Sequence, residues 1–493
     1  MIRRIPSGTK ATGFTAFIVL LCGAAVLSAG TTTTTKKQSS TAPTSSSAKS
    51  RKSTRSSTSR RASSSYTHTA RRARVRYSSV RVDPARRAEL VVEIGGRLKD
   101  PPTHAIANGP ALDSFYAQLA SYEASMQGGQ KPTDTLRVLQ WGDSHTAADM
   151  FTGEARRIFQ AQFGDGGIGY SYAGYPFAGF RIFGSRRSQS PGWITQGNKF
   201  LQLGDGQLGM GGLSISTQRP GESITLDASC ASLDLQFLQQ PGGGKLLFSD
   251  NGSDPITIPT DAQEIGPGTY HYVCPAGEHH FQVQTADYAP VTLLGWVATQ
   301  PGVTWEMIGI NGAEAPLILR WDQKLFAQYL KDNSPALIVL AYGTNEAAST
   351  LWDEDSYRDK FASLIDTIHS YVPESSILVI GPADRSLRQH YAWHPFTGTD
   401  KIVEAQRAVC RAHGCAYWDQ QQRMGGFGSM QQWVYAGWAQ PDHTHFTGDG
   451  YHALADALMA DLMAGFQDYK QRHSSVTETA VQGESIGSGS ANP

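Results

Sequence analysis

The chain places a serine directly after an apolar run in the stretch Leu136-Arg137-Val138-Leu139-Gln140-Trp141-Gly142-Asp143-Ser144-His145. The apolar part predicts a buried β-strand, and Gly142 predicts a tight turn with positive φ beside the serine. Helical periodicity follows from Phe151 to Phe163, so the first amide groups of a helix are predicted to face the reacting oxygen. Strand, sharp turn and helix is an arrangement by which hydrolases expose a nucleophilic serine, although the usual G-x-S-x-G pattern is absent. Ser144 is therefore the first candidate nucleophile.

Further apolar runs end in turn residues and are followed by helical periodicity. They are Thr304 to Ile310, Ala336 to Tyr342, Ser376 to Ile380 and the weaker Ala416 to Trp418. This alternation predicts an α/β fold with a mainly parallel sheet and helices on both faces. Packing helices are predicted at residues 112–126 and 454–466. In such sheets the functional residues lie at the carboxyl ends of the strands.

Between residues 185 and 301 the pattern changes to short alternating segments, such as Leu233-Asp234-Leu235-Gln236-Phe237, separated by Gly and Pro. This pattern predicts an antiparallel β-sandwich domain inserted into the α/β domain, which it divides into residues 83–184 and 302–470. Five aromatic residues of the insert belong either to the sandwich core or to a surface that stacks on sugar rings. They are Trp193, Tyr270, Tyr272, Tyr288 and Trp296.

The start of the 493-residue chain resembles an export signal. Arg3, Arg4 and Lys10 precede an apolar run from residue 14 to 27, and small residues follow. Residues 1–30 are therefore predicted to be a signal peptide or a membrane anchor. We expect the rest of the protein to be exported to the periplasm or cell envelope.

Residues 31–82 are basic and rich in Ser, Thr, Ala and Arg, and no acidic residue precedes Asp83. Few apolar side chains are present, so this segment is predicted to be a disordered linker. Behind an export signal its Arg residues suit an anionic envelope polymer rather than nucleic acid, and a solvated spacer without a partner is the alternative. Residues 471–493 are predicted to be a disordered tail, and the protein is expected to be a monomer.

Four cysteines follow the leader, so three pairings are open. Cys410 and Cys415 lie close enough for a local disulfide, and Cys230 with Cys274 is a second candidate pair. Buried reduced thiols are the alternative for both pairs.

A base and its orienter are supplied late in the chain by Asp442-His443-Thr444-His445. A serine hydroxyl needs a base, and the base needs a group that orients it. Asp442 can accept a hydrogen bond from one ring nitrogen of His445 while the other nitrogen faces Ser144. Taken alone, such a pair is more often a surface loop with a helix cap, so the assignment depends on the other motifs.

Donors for a developing oxyanion are expected where the strands end. Asn345 follows the run that ends at Tyr342, and Gly312 follows the run that ends at Ile310. The side-chain amide of Asn345 and the backbone N–H groups of Gly312 and Ser144 would form a three-donor oxyanion hole.

Together these blocks resemble the SGNH (GDSL) hydrolase family, in which a GDS serine, a glycine, an Asn block and a D-x-x-H pair occur in this order. The resemblance implies a flavodoxin-like three-layer α/β/α fold and acyl-ester hydrolysis without a metal or cofactor. It implies Ser144 as nucleophile, His445 as general base and acid, Asp442 as its orienter, and Gly312 and Asn345 as oxyanion donors. Two features depart from the family pattern. Glu346 stands where many members have Asp. The first two blocks are separated in sequence by far more than the roughly 30 residues of a β-α-β unit.

A narrower resemblance is to bacterial peptidoglycan O-acetylesterases. It rests on the segments GDSHTA (142–147), FGDGGIG (163–169), YGTNEA (342–347) and GPADR (381–385). These enzymes also carry a β module similar to carbohydrate-binding domains between their first two blocks. The resemblance implies that the substrate is an O-acetyl group on muramic acid in cell-wall glycan and that acetate is a product.

Other polar residues are weaker candidates. His145 should point away from the site if Ser144 points into it, and the D-x-x-H spacing favours His445 over His443. His279, His280 and His394 have no third ligand at a recognisable spacing, so no metal site is predicted. Asp384 either supports the site from behind or forms a structural salt bridge with a base such as Arg385.

The leading function is an exported serine esterase that removes acetyl groups from cell-wall glycan. The same triad can pass the acetyl group to a sugar hydroxyl, so an O-acetyltransferase is an alternative, since water exclusion and not the motifs separates the two. A catalytically vestigial wall-binding protein is the third alternative.

Overall fold

The structure, a computed structural model, describes residues 81–102, 104–129, 133–197, 203–349 and 352–486. The predicted signal peptide or anchor and all but the end of the predicted linker lie outside these residues. Within them, no helix combines the length and apolar character needed to cross a membrane.

The described helices begin and end at the following residues. They are α1 (Pro84–Lys99), α2 (Asp113–Gln127), α3 (Met150–Phe163), α4 (Gln323–Asn333), α5 (Glu354–Tyr371), α6 (Gly398–His413), α7 (Gln420–Met424), α8 (Met430–Ala436) and α9 (Gly448–Ile486), with 3₁₀ turns at Gly109–Leu112, Ala315–Arg320 and Glu346–Ala348.

The described strands belong to three sheets. They are β1 (Ile106–Ala107), β2 (Thr135–Gly142), β3 (Gly169–Ser171), β4 (Arg186–Gln189), β5 (Ile194–Gln196), β6 (Ser214–Thr217), β7 (Ser223–Gln239), β8 (Lys245–Asp250), β9 (Ile256–Pro259), β10 (Gly266–Thr285), β11 (Val291–Thr299), β12 (Gly302–Gly309), β13 (Leu337–Ala341), β14 (Ser376–Ile380), β15 (Ser386–Gln389), β16 (Ala392–Pro395) and β17 (Ala416–Trp418).

The first sheet has six strands in the order β1-β17-β14-β13-β2-β12. Its strands pair in parallel except for β1, which runs antiparallel to β17. The apolar runs of the sequence therefore form the predicted parallel sheet. Because β2 lies between β12 and β13, the end of β2 lies beside the ends of both neighbouring strands.

Helices cover both faces of this sheet, and side chains alternate along β2 accordingly. Val138 packs in one apolar cluster with residues of α1, α2, α3 and α9. Leu139 and Trp141 pack in a second cluster with residues of α4, α5 and α6. The α/β fold with layers of helix, sheet and helix is thereby confirmed.

The second sheet is antiparallel and has the strand order β5-β6-β11-β7-β10-β8-β9, with β3 on β11 and β4 on β7. Its core side chains belong to the same apolar cluster as those of α4, α5 and α6. Strand β3 comes from the segment assigned to the α/β domain, but it pairs with β11. The antiparallel region is thus continuous with the α/β core, while its arrangement as a sandwich stays a prediction.

The aromatic side chains of this region divide between its core and its surface. Trp193 and Trp296 are buried, and Tyr270 and Tyr272 pack half-buried against Phe248. Tyr288 is 81% exposed. Core packing therefore accounts for four of the five aromatic residues singled out in the sequence.

A buried ion pair of the parallel sheet also contacts the antiparallel region. Arg137 of β2 donates to both carboxylate oxygens of Glu306 on β12, at 2.6 and 2.7 Å. The same carboxylate accepts the backbone N–H of Tyr170 on β3 at 2.7 Å. Removing one partner of a buried ion pair typically costs about 3–5 kcal/mol, because a charge is left without compensation.

The C-terminal helix is longer than the sequence suggested. Helix α9 continues to Ile486, and its charged residues near position 471 are anchored, because Lys470 contacts Glu123 and Arg472 contacts Asp113. Helix α9 therefore runs past residue 471, where the predicted tail begins, while the disorder of that tail stays a prediction. The remaining residues of that tail lie outside the described part of the chain.

Two of the cysteines that follow the leader are joined. Cys410 and Cys415, at the end of α6, form a disulfide. Cys230 and Cys274 are buried and are not joined by a disulfide.

Candidate active site

The turn that carries Ser144 is held by backbone contacts. The N–H groups of Thr146 and Ala147 donate to the carbonyl oxygen of Asp143, at 3.1 and 3.0 Å. Gly142 does not have the positive φ predicted for it. It is required because a Cβ there would overlap the side chain of Thr146 and approach the carbonyl oxygen of Ala341 to 2.9 Å. Helix α3 begins only at Met150.

Ser144, His445 and Asp442 are hydrogen-bonded in series. Ser144 Oγ lies 2.9 Å from His445 Nε2, and His445 Nδ1 lies 2.8 Å from Asp442 Oδ2. The other oxygen of Asp442 accepts the N–H groups of Thr444 and His445, both at 3.0 Å. The structure thus brings together the three residues that the sequence proposed as nucleophile, base and orienter.

The pKa values of this pair move in opposite directions. Burial alone would raise the pKa of Asp442, but the hydrogen bond and charge of His445 with two backbone N–H groups lower it to about 2. Burial alone would lower the pKa of His445, but its hydrogen bond to Asp442 and the charges of Asp442 and Asp143 raise it above the ordinary value of 6.5. An ionised Asp442 only accepts hydrogen bonds, so His445 Nδ1 carries a proton. In neutral His445, Nε2 is then free to accept the proton of the serine hydroxyl.

Asn345 and Gly312 lie on neighbouring strand-end loops. Asn345 Nδ2 donates to the carbonyl oxygen of Ala313 at 2.9 Å, which ties the loop after β13 to the loop after β12. The same amide group lies 3.4 Å from Asp143 Oδ2, beside the serine. Gly312 has φ +78°, and nothing lies within 4 Å of the point where a Cβ would stand. The proposed oxyanion donors therefore belong to one bonded set of loops next to Ser144.

Asp143 and Arg385 contribute to the site, although the sequence analysis assigned no catalytic role to either residue. Asp143 is buried and accepts the N–H of His145 at 2.9 Å, and burial raises its pKa to about 6. Arg385 donates to the carbonyl oxygen of Thr344 at 2.8 Å and lies over the ring of Phe396. Its positive charge acts on both Asp143 and His445 by lowering their pKa values. Their positions depend on contacts between distant segments, and only the motif blocks around them gave any signal.

The ring of His145 packs beside the ring of His445 and does not act on Ser144. Their ring centroids lie 5.1 Å apart, and burial lowers the pKa of His145 to about 3. The hydroxyl of Tyr451 is hydrogen-bonded to His145 Nδ1 at 3.0 Å. His145 is therefore a neutral ring.

His443 is equally remote from the proton-transfer path. It is fully buried, and its ring stacks on Trp393 of β16 with a centroid distance of 3.9 Å. Burial lowers its pKa to about 4. The preference of the sequence analysis for His445 over His443 agrees with this geometry.

Asp384 supports the fold behind the site. It is fully buried and accepts the backbone N–H of Met430 at 2.8 Å, and Gln421 lies 3.4 Å from its other oxygen. Within the described ranges, no group of three or more His, Cys, Asp or Glu side chains is arranged to hold a metal ion.

Residues 279–453 match the family model of the GDSL-like lipase/acylhydrolase family. This segment contains Gly312, Asn345, Asp442 and His445, and Ser144 precedes it. In fold, the chain is similar to a solved structure described as a peptidoglycan O-acetylesterase in action, with 26% sequence identity and a TM-score of 0.63. The similarity covers 74% of this chain and 99% of that one. The protein is an esterase with a GDSL-like lipase/acylhydrolase domain.

More distant similarities to this chain are found among family two carbohydrate esterases. One from Cellvibrio japonicus is 13% identical, with 58% of this chain and 98% of that chain covered and a TM-score of 0.25. One from Clostridium thermocellum in complex with cellohexaose is 14% identical, with coverages of 56% and 100% and a TM-score of 0.25. No curated protein matches the chain.

Proposed function

We propose that this GDSL esterase is an exported enzyme that hydrolyses O-acetyl esters of cell-wall glycan, with peptidoglycan as the leading substrate. The observation that carries the chemistry is the hydrogen-bonded series Ser144–His445–Asp442, which has the geometry of a nucleophile, a base and an orienter. The substrate class is taken from the peptidoglycan O-acetylesterase, whose similarity extends over 99% of that chain.

In the proposed first half-reaction, Ser144 Oγ attacks the acetyl carbonyl while its proton passes to His445 Nε2. Negative charge develops on the carbonyl oxygen, where the amide of Asn345 and the backbone N–H groups of Gly312 and Ser144 stabilise it. The tetrahedral intermediate then collapses. The sugar oxygen leaves with the proton from His445, and an acetyl ester on Ser144 remains.

In the second half-reaction, His445 removes a proton from a water molecule that attacks the acetyl-enzyme. Collapse of the second intermediate returns that proton to Ser144 and releases acetic acid, which ionises at neutral pH. Asp442 keeps its charge throughout and stabilises the imidazolium form of His445 in both halves.

The remaining parts of the proposal rest on the sequence. Residues 1–30 would direct export, the basic linker 31–82 would bind an anionic envelope polymer, and the protein would act as a monomer without a cofactor. The inserted antiparallel region would form a sandwich similar to carbohydrate-binding modules.

The test is release of acetate from O-acetylated peptidoglycan by the purified protein and by Ser144→Ala. We expect turnover by the wild type and a loss of about 10⁴-fold or more in the variant, with an unchanged melting temperature. Acetate release at the wild-type rate by a folded Ser144→Ala would exclude Ser144 as nucleophile.

Two parallel assays define the reaction. Acetylated xylan tests the choice of glycan, since a higher kcat/KM on xylan than on peptidoglycan would contradict the leading substrate. De-O-acetylated glycan with an acetyl donor tests the acceptor. A predominance of acetylated sugar over free acetate there would identify a transferase.

A further inference from the structure

A cavity of about 420 Å³ lies beside the loops that carry Gly312 and Asn345. One wall is the 3₁₀ turn Ala315–Arg320, which follows Gly312, and the other is formed by Glu346 and the start of α5. Its volume is within the range of about 300–1,000 Å³ that is usual for small-molecule sites. We call it the Glu346 cavity. The reaction steps described above do not use it.

Glu346 is the polar group that the fold leaves incompletely bonded at this cavity. The residue is 97% buried, and one carboxyl oxygen accepts the backbone N–H of Ala315 at 2.8 Å. The other oxygen has no hydrogen-bond partner among the described residues. Burial, with smaller contributions from the charges of Glu314 and Asp143, raises the pKa of Glu346 to about 8. At neutral pH Glu346 therefore carries a proton and has an O–H group to donate.

The rest of the lining combines aromatic and charged side chains. Trp352 is half-buried and lies 5.0 Å from the ring of Tyr357, measured between centroids. Glu314 and Asp353 are matched by Arg320 and Lys360 around the cavity. Because Glu346 is protonated, these two carboxylates and two cations leave the lining without net charge, so it favours an uncharged ligand. A ligand with an apolar ring face could pack on the aromatic side chains of the lining. Hydroxyl or amide groups around that ring could form hydrogen bonds with the charged side chains.

The cavity is connected directly to the catalytic loops. Two hydrogen bonds join the segment after β12 to the segment after β13. One runs from Ala315 to Glu346, and the other runs from Asn345 to Ala313. Glu346 is also the immediate neighbour of Asn345 in sequence. A ligand in the cavity would therefore be bound by the segments that hold the proposed oxyanion donors.

We propose that the Glu346 cavity is a glycan subsite that binds a neutral sugar ring of the acetylated chain while the acetyl ester lies at Ser144. This inference rests on the proposed function. The sugar ring packs on Trp352, and Glu346 donates a hydrogen bond to one of its oxygen atoms. The acetyl group itself needs no contact with this cavity.

The first experiment compares kcat/KM for O-acetylated peptidoglycan with kcat/KM for 4-nitrophenyl acetate, a small ester without a sugar. In Trp352→Ala, we expect the ratio of the two to fall about tenfold through a higher KM for the glycan. The matched control is Tyr122→Ala, which removes a half-buried aromatic ring of α2 on the other face of the parallel sheet, and its ratio should equal that of the wild type. A wild-type ratio in Trp352→Ala would overturn the subsite.

The second pair of variants tests the protonated state of Glu346. Glu346→Ala should lower the same ratio, and Glu346→Gln should recover most of the loss, because an amide N–H replaces the carboxyl O–H while the acceptor for Ala315 is kept. A Glu346→Gln variant as impaired as Glu346→Ala would contradict a donor role.

Calorimetric titration with an unacetylated oligomer of N-acetylglucosamine separates this inference from the proposed function. Binding to the wild type and at least tenfold weaker binding to Trp352→Ala would support the subsite even if the wild type released no acetate from peptidoglycan. Equal binding to both proteins would overturn the subsite and leave the esterase proposal untouched.

Discussion

The edge of the parallel sheet and the antiparallel region contain nearly identical His–Asp pairs. His445 Nδ1 lies 2.8 Å from Asp442 at the sheet edge, and His279 Nδ1 lies 2.7 Å from Asp250 in the antiparallel region. The pairs differ at the second ring nitrogen. His445 Nε2 faces Ser144 Oγ at 2.9 Å, whereas His279 Nε2 is bonded to the carbonyl oxygen of Pro275 at 2.8 Å.

The environment of each pair matches this difference. His279 is buried and stacks on Phe281, so both of its nitrogens serve the packing of β10. His445 is part-buried and next to the serine turn. A His–Asp pair therefore indicates catalysis only when the remaining nitrogen faces a nucleophile.

The strongest test of this comparison removes each histidine in turn. His445→Ala should lower kcat for acetate release by about 10⁶-fold, as loss of the base does in other serine hydrolases. His279→Ala should leave kcat within twofold of the wild type. Steady-state assays on the two purified variants give the answer, and a comparable loss in both would show that the distinction between the pairs is mistaken.

Asp442→Asn should lower kcat at neutral pH by about 10⁴-fold, because the amide no longer holds the required tautomer of His445. Asp250→Asn is the matched control, since it makes the same change in the antiparallel region, and it should leave kcat within twofold. The assignment of Asp442 would be untenable if both variants retained wild-type turnover.

Asn345→Ala should reduce kcat by about 10²–10³-fold, since it removes one oxyanion donor. KM should change little, because the donor acts on charge that develops in the transition state. A change confined to KM would instead place Asn345 in ground-state binding.

The dependence of kcat/KM on pH tests whether His445, at the edge of the parallel sheet, is the titrating base. The base must be neutral, so kcat/KM should rise with pH through the pKa of His445, which lies above 6.5. Asp442 raises that pKa, so the inflection for the residual activity of Asp442→Asn should move to lower pH. An inflection that did not move would exclude His445 as the titrating group.

The smallest expected effect concerns stability. His279→Ala leaves the carboxylate of Asp250 buried without its partner, which should lower the free energy of unfolding by about 1–3 kcal/mol. Urea denaturation of the variant and the wild type measures the difference. His271→Ala, at an exposed pair with Asp234, should cost less than about 1 kcal/mol, and equal losses would contradict the importance of burial.

The sequence was informative where function depends on short segments. The strand before Ser144 and the spacing of Asp442 and His445 are local patterns, and they predicted both the parallel sheet and the bonded series. Patterns of this kind also identified Gly312 and Asn345 by their positions after strands, because parallel strands bring their ends together.

Features that arise from contacts between distant segments were not predictable in this way. Gly142 is needed for a close approach to Thr146 and Ala341 and not for its φ. No sequence pattern near Glu346 predicts that its carboxyl group is buried against Ala315. The junction of the two sheets likewise involves β3 pairing with β11, and the continuation of α9 begins where Lys470 and Arg472 contact α2.

The position of β2 between β12 and β13 also sets the order in which the enzyme can mature. Its ion pair with β12 joins Arg137 to Glu306, 169 residues later in the chain, and Ser144 meets His445 after 301 residues. Contacts of such long range form late, because loop-closure entropy is lost before they are made. The proposed nucleophile is synthesised early but cannot become active until the segment with Asp442 and His445 has reached it, so a shorter chain is harmless to the ester bonds around it.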